Sequence, residues 1–91
     1  MAQYVPGTPL GFQQITSLTA AVSLTVPAGA RTAWLSIETA NVRMRDDGTA
    51  PTASVGLVLV SGNDYMYSGN LPAIKLIAAT GSPVVDVLYY S

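Results

Sequence analysis

The sequence predicts a single small all-β domain, a β-sandwich or barrel-like unit of about seven to eight short antiparallel strands, with an extended N-terminal arm. Three observations predict it. Glycine and proline punctuate the chain closely, from Pro6, Gly7, Pro9 and Gly11 to Gly81 and Pro83, leaving little room for amphipathic helices. Between them, apolar and polar residues alternate with period two, the pattern of half-buried strands whose successive side chains point to opposite faces. Turn-forming clusters separate the alternating runs at even spacing.

The elements follow in order. Residues 1–11, Met-Ala-Gln-Tyr-Val-Pro-Gly-Thr-Pro-Leu-Gly, hold two prolines and two glycines, which oppose helix and regular ladder pairing alike, so they are assigned to the arm and residues 12–91 to the domain. Strands are expected at 12–18, 21–26, 31–38, 41–45, 56–60, 64–68, 73–78 and 84–90. Val22, Leu24 and Val26 alternate with Ser23 and Thr25; Ala33, Leu35 and Ile37 alternate with Trp34, Ser36 and Glu38; Val42 and Met44 alternate with Arg43 and Arg45; Val85 and Val87 flank Asp86. Ala20 and Ala21 favour helix near Leu18–Leu24, but Thr19, Val22 and Thr25 oppose it and Pro27 would end it early. Turns are expected at Val26-Pro27-Ala28-Gly29, Asp46-Asp47-Gly48, Ser61-Gly62-Asn63-Asp64, Ser68-Gly69-Asn70 and Thr80-Gly81-Ser82-Pro83.

Composition narrows the function. Hydrophobic residues make up 49% of the 91 and charged residues only 10%, against roughly 25% charged in an average domain. A surface covered by Ser, Thr, Asn, Gly and Ala resists association poorly unless a partner covers it, which points to an oligomer or assembly subunit. The net charge is −1 with no basic cluster, so nucleic-acid binding is not expected. No apolar run approaches the roughly 20 residues that span a bilayer, and residues 1–20 show no secretory signal, so synthesis in a cytoplasm is expected.

Catalysis is not expected either. The chain has no histidine and no cysteine, and Lys75 is its single lysine, so no serine or cysteine nucleophile has a base beside it. No glycine-rich phosphate loop is present, and neither a metal site nor a cofactor is implied. The one carboxylate pair, Asp46-Asp47, reads as turn chemistry: Asp46 opens the turn, Asp47-Gly48 makes its corner, and Arg43 or Arg45 pairs with a carboxylate.

The aromatic residues carry more. Tyr65 and Tyr67 share one strand face with Met66 opposite, and Trp34 lies on the polar phase of its strand beside Ser36. Such residues serve a core or anchor a protein interface. Asn63, Asp64 and Asn70 nearby leave a glycan-binding face as an alternative. In the arm, Tyr4, Val5 and Leu10 suit contact with a neighbour better than solvation. The expected interface residues are therefore Tyr4, Val5, Leu10, Trp34, Tyr65 and Tyr67.

The segment Asn41-Val42-Arg43-Met44-Arg45-Asp46-Asp47-Gly48, followed by Pro51-Thr52 and Gly56, resembles a family of short virion proteins of tailed bacteriophages and prophages. Tyr67-Ser68-Gly69-Asn70-Leu71-Pro72-Ala73-Ile74, the closing Tyr89-Tyr90 and the opening Leu24-Thr25-Val26-Pro27-Ala28-Gly29-Ala30-Arg31 fit the same pattern, with Pro72 a departure from it. The resemblance covers residues 13 to 90. It implies a virion component without a catalytic site, of the capsid decoration or cement type, made in the host cytoplasm. Its implied partners are the major capsid protein and further copies of itself, as a homo-trimer or other symmetric oligomer. A tail, baseplate or fibre-attachment position, and a receptor- or glycan-binding module, are the alternatives.

Overall fold

A computed structural model describes residues 7–91. Eight strands, β1 (Pro9–Ile15), β2 (Val22–Ser23), β3 (Thr32–Glu38), β4 (Val42–Arg45), β5 (Leu57–Leu59), β6 (Asp64–Ser68), β7 (Lys75–Ala78) and β8 (Val84–Tyr90), are joined by turns and one short 3-10 segment, Leu71–Ala73. They form two four-stranded sheets, ordered β1-β8-β3-β6 and β2-β7-β4-β5, in which every pairing is antiparallel. That interleaved order is the jelly roll, two sheets wound from two Greek keys. The domain is all-β and sandwich-built, as the alternation predicts.

The two inner faces make the core. From the first sheet come Ile15, Ala33, Leu35, Ile37, Val85, Val87 and Tyr89; from the second, Val42, Met44, Leu59 and Leu76; Leu18, Leu24, Leu71 and Ile74 fill in from the connections. β3 shows how alternation sets this up. Ala33, Leu35 and Ile37 are buried, while Trp34, Ser36 and Glu38 point outward. A one-residue slip would reverse that assignment, so the buried face holds the register.

The edges of the elements differ from the expectation in three places. First, β1 begins at Pro9, so Pro9, Leu10 and Gly11 belong to the domain rather than to an arm spanning residues 1–11. Pro9 is the first residue of a sheet-edge strand, where a missing N–H costs no ladder bond. The register shifts between Pro9 and Gly11, so Leu10 is the extra residue of a bulge. Thr8 extends the pairing: Ser91 N–H donates to its carbonyl (3.0 Å) and its own N–H donates to Ser91 Oγ (2.9 Å).

Second, the strand expected at 12–18 ends early and the one expected at 21–26 shrinks to Val22–Ser23, because the chain crosses between sheets there. β1 stops at Ile15; Leu18 is buried, and its carbonyl accepts from Ala78 N–H of β7, in the other sheet (2.9 Å). Third, Pro72 sits in the 3-10 segment, so the strand expected at 73–78 begins at Lys75. Proline has no N–H to give a ladder, and early helical positions need none.

Tyr89 is the largest of the fully buried side chains. Its hydroxyl donates to Gln13 Oε1 at 2.6 Å, and burial pushes its pKa up to about 12. An unfolded tyrosine ionises near 10. Between those values the unfolded chain loses a proton that the native chain keeps, so stability falls as pH rises through this window. Urea midpoints measured from about pH 9 to about pH 11.5 should therefore fall less steeply in Tyr89→Phe than in the wild type. Equal slopes would mean that the Tyr89 hydroxyl is not protected.

Candidate interaction face

On the outer face of the first sheet, the four-strand register lines up side chains that the sequence keeps far apart. Phe12 pairs with Leu88, Leu88 with Trp34, and Trp34 with Met66. The result is an apolar row crossing β1, β8, β3 and β6. Phe12 is 61% exposed, Leu88 39% and Met66 37%, and Trp34 is half-buried. Singly exposed apolar residues are ordinary, but a contiguous row is the kind of patch that a partner can cover.

The next row along the same strands is polar: Gln14, Asp86, Ser36 and Asp64. Glu38 follows on β3, opposite Val84. The hydrogen bond that Glu38 can share with Asp86, and then the repulsion between the two carboxylates, hold its carboxyl above the ordinary range. Gln14 Nε2 donates to Asp86 Oδ1 at 2.9 Å. Between the two rows, Phe12, Trp34, Ser36, Asp64, Asp86 and Leu88 line an open cleft of about 180 Å³. Small-molecule sites usually reach about 300–1,000 Å³. This one has room for a single side chain, with aromatic walls and carboxylates at one end.

The residues singled out from the sequence fall into different places. Tyr4 and Val5 lie outside the described residues. Leu10 is the exposed bulge residue of β1, and Trp34 is at the centre of the apolar row. Tyr65 and Tyr67, expected at an interface, instead turn inward and pack on the core. The Tyr65 hydroxyl accepts from Val60 N–H (2.9 Å), and the Tyr67 hydroxyl donates to Asp46 Oδ2 (2.5 Å). That hydrogen bond, with burial and the nearby charge, raises the Tyr67 pKa. On β6 it is Asp64, Met66 and Ser68 that face outward.

The Asn41–Gly48 segment proves to be built from internal partners. Asn41 Oδ1 accepts from Ser61 N–H (2.9 Å). Arg43 donates to the Gly56 carbonyl (2.8 Å). Arg45 grips Asp47 through both carboxylate oxygens (3.2 and 2.5 Å), which, with Thr49 N–H, holds the Asp47 carboxyl below its usual range. Gly48 supplies the corner at φ +82°. Gly56, at φ +138°, lies so close to Pro51, the Met44 carbonyl and Arg43 that a side chain would crowd them. These contacts organise the long β4–β5 connection.

Sequence reasoning missed Phe12, Met66 and Leu88. Each is an unremarkable apolar residue in its own strand; only the pairing of four strands makes them one surface. Among the described residues, no three His, Cys, Asp or Glu side chains group as metal ligands. Compared with known protein families, curated proteins and solved structures, the chain matches none.

Proposed function

We propose that this chain is a structural subunit of a phage particle, a capsid decoration protein that binds the head shell and stabilises contacts between capsomers. The observation that carries this reading is the apolar row Phe12–Leu88–Trp34–Met66 on an otherwise solvent-facing sheet. Such a row contributes binding when a protein surface covers it. The resemblance of the Asn41–Gly48 segment to short virion proteins supplies the particle context. The jelly roll is an architecture that capsid and lectin domains share, which supports the reading by analogy of fold alone. The role is mechanical, with the major capsid protein and further copies of the chain as partners. Each contact is modest, and symmetric repetition over a shell multiplies it.

The glycan-binding alternative leaned on Tyr65 and Tyr67, and both hydroxyls are engaged within the domain. The test of the proposal is to mix the purified protein with heads that lack it and image them by electron microscopy. Ordered, stoichiometric density on the shell is the expected result. Bare heads beside decorated tails would overturn the capsid assignment in favour of a tail position.

A further inference from the structure

The outer face of the second sheet is the electrostatic counterpart of the first. Arg43 on β4 lies between Val58 of β5 and Ile77 of β7, and in the next row Arg45 lies beside Lys75, which pairs with Ser23 of β2. Three of the chain's four cations thus stand on one face, and three of its five carboxylates, Glu38, Asp64 and Asp86, stand on the opposite one. The fourth cation, Arg31, precedes β3, at the other end of that strand from Glu38.

Each face carries like charges side by side. Arg45 and Lys75 are direct cross-strand neighbours, an arrangement that costs free energy in a lone sheet. Asp47 offsets Arg45, whereas among the described residues the Lys75 ammonium donates to a hydroxyl, Ser23 Oγ (3.1 Å). Across the molecule, Asp86 and Asp64 flank Ser36 with Glu38 one step along. On both faces an apolar or mixed row adjoins a charged row two residues along the strands, a spacing of roughly 6.8 Å set by strand geometry. The rows can therefore meet in register, row on row.

We propose that copies of this chain associate head to tail, the acidic, apolar face of the first sheet docking on the basic face of the second sheet of the next copy. Lys75 of one copy enters the cleft between Trp34 and the carboxylates of Asp64 and Asp86, where an aromatic wall and two anions suit an ammonium. Val58 and Ile77 cover the apolar row. The second copy is the chosen occupant because this chain itself carries the complement in charge and spacing. The domain measures 34 × 29 × 18 Å, so one face can approach the roughly 800 Å² per partner of an ordinary specific interface. The two faces lie on opposite sides, so the contact is heterologous and propagates, closing into a ring or continuing as a chain.

The inference rests on the reading of this chain as an assembly subunit, but its test uses the purified chain alone, so the two can fail separately. Sedimentation velocity from about 10 μM to about 1 mM should show mass rising above the 9.4 kDa monomer, less so at about 0.5 M salt, where screening is strong. Asp64→Lys and Lys75→Glu should each weaken association about tenfold. An equimolar mixture of the two should associate again, because each charged face of one variant then meets its complement on the other. The double variant, with charges exchanged, should associate again, a recovery that a misfolded protein would not show. A wild-type chain that stays monomeric throughout would overturn the proposal. So would single variants that dissociate without recovery in the double variant. If Asp64→Lys removes head binding while the wild type stays monomeric, the acidic face belongs to a capsid partner and self-association is refuted.

Discussion

Replacing Leu35 by alanine should cost the domain about 2–5 kcal/mol, the range for deleting a buried leucine side chain and leaving part of its cavity. Leu35 is 1% exposed. It lies on β3, which is paired on both sides, with Val87 of β8 and Tyr65 of β6 as its cross-strand neighbours. Hydrogen-bonded neighbours on both flanks leave the backbone little freedom to collapse into the space. A chain of this length is held by about 5–14 kcal/mol in all. The melting temperature should accordingly fall by about 10–30 °C. Trp34, the chain's one tryptophan, sits next to Leu35 on the outer face of the same strand and reports the transition by fluorescence. A fall of less than about 3 °C would mean that the inner faces are not packed against each other at this position.

Leu88→Glu should do the opposite, leaving the fold intact and abolishing contact. Leu88 lies on β8 between Phe12 and Trp34, in the middle of the apolar row, where a covering partner excludes water most completely. Truncating a central, well-covered residue commonly costs 2 kcal/mol or more. A carboxylate there must also be desolvated, so on the capsid reading head occupancy should fall about 100-fold at matched concentration, whereas if the next copy covers this row it is self-association that falls. Leu88→Ala, which introduces no charge, should lose about thirtyfold. Because the side chain points away from the core, thermal midpoints of both variants should stay within a few degrees of the wild type. Undiminished occupancy in Leu88→Glu would move the contact to another surface, with the exposed Val55, Leu57, Val58 and Val60 around β5 the next candidate.

Much of this fold was legible in the sequence, and the reason is local. β3 from Ala33 onward and β8 alternate in and out, so period and length agree. Departures came where non-local geometry overrides the pattern. Pro9 and Gly11 look like strand breakers, yet an edge position and a bulge accommodate them. β2 shrinks to two residues because its flanks carry the chain between sheets. The alternation puts Tyr65 and Tyr67 on one strand and one face, and that face is the inner one rather than the expected interface. A tyrosine can bury its ring while its hydroxyl finds a partner at the rim, and Met66 took the outer position. The interaction row and the separation of charge were hidden for a further reason. Both are products of strand order, which brings Phe12 beside Leu88 and Arg45 beside Lys75. No window of sequence contains either pair.

The interleaved strand order also dictates when this protein can fold. β8 follows the other seven described strands in the chain, yet it occupies the second position of the first sheet, between β1 and β3. Until Val84–Tyr90 emerges from the ribosome, β1 has no strand to pair with, and β3 is paired on one side only. The first sheet therefore stays incomplete, with inner-face residues of β1 and β3 uncovered, until that strand is available. Sheets assembled from such distant segments form slowly, because chain closure must precede the contacts that reward it. The low charge of the sequence leaves the incomplete chain little protection against aggregation, so chaperones should govern its yield more than its final stability does.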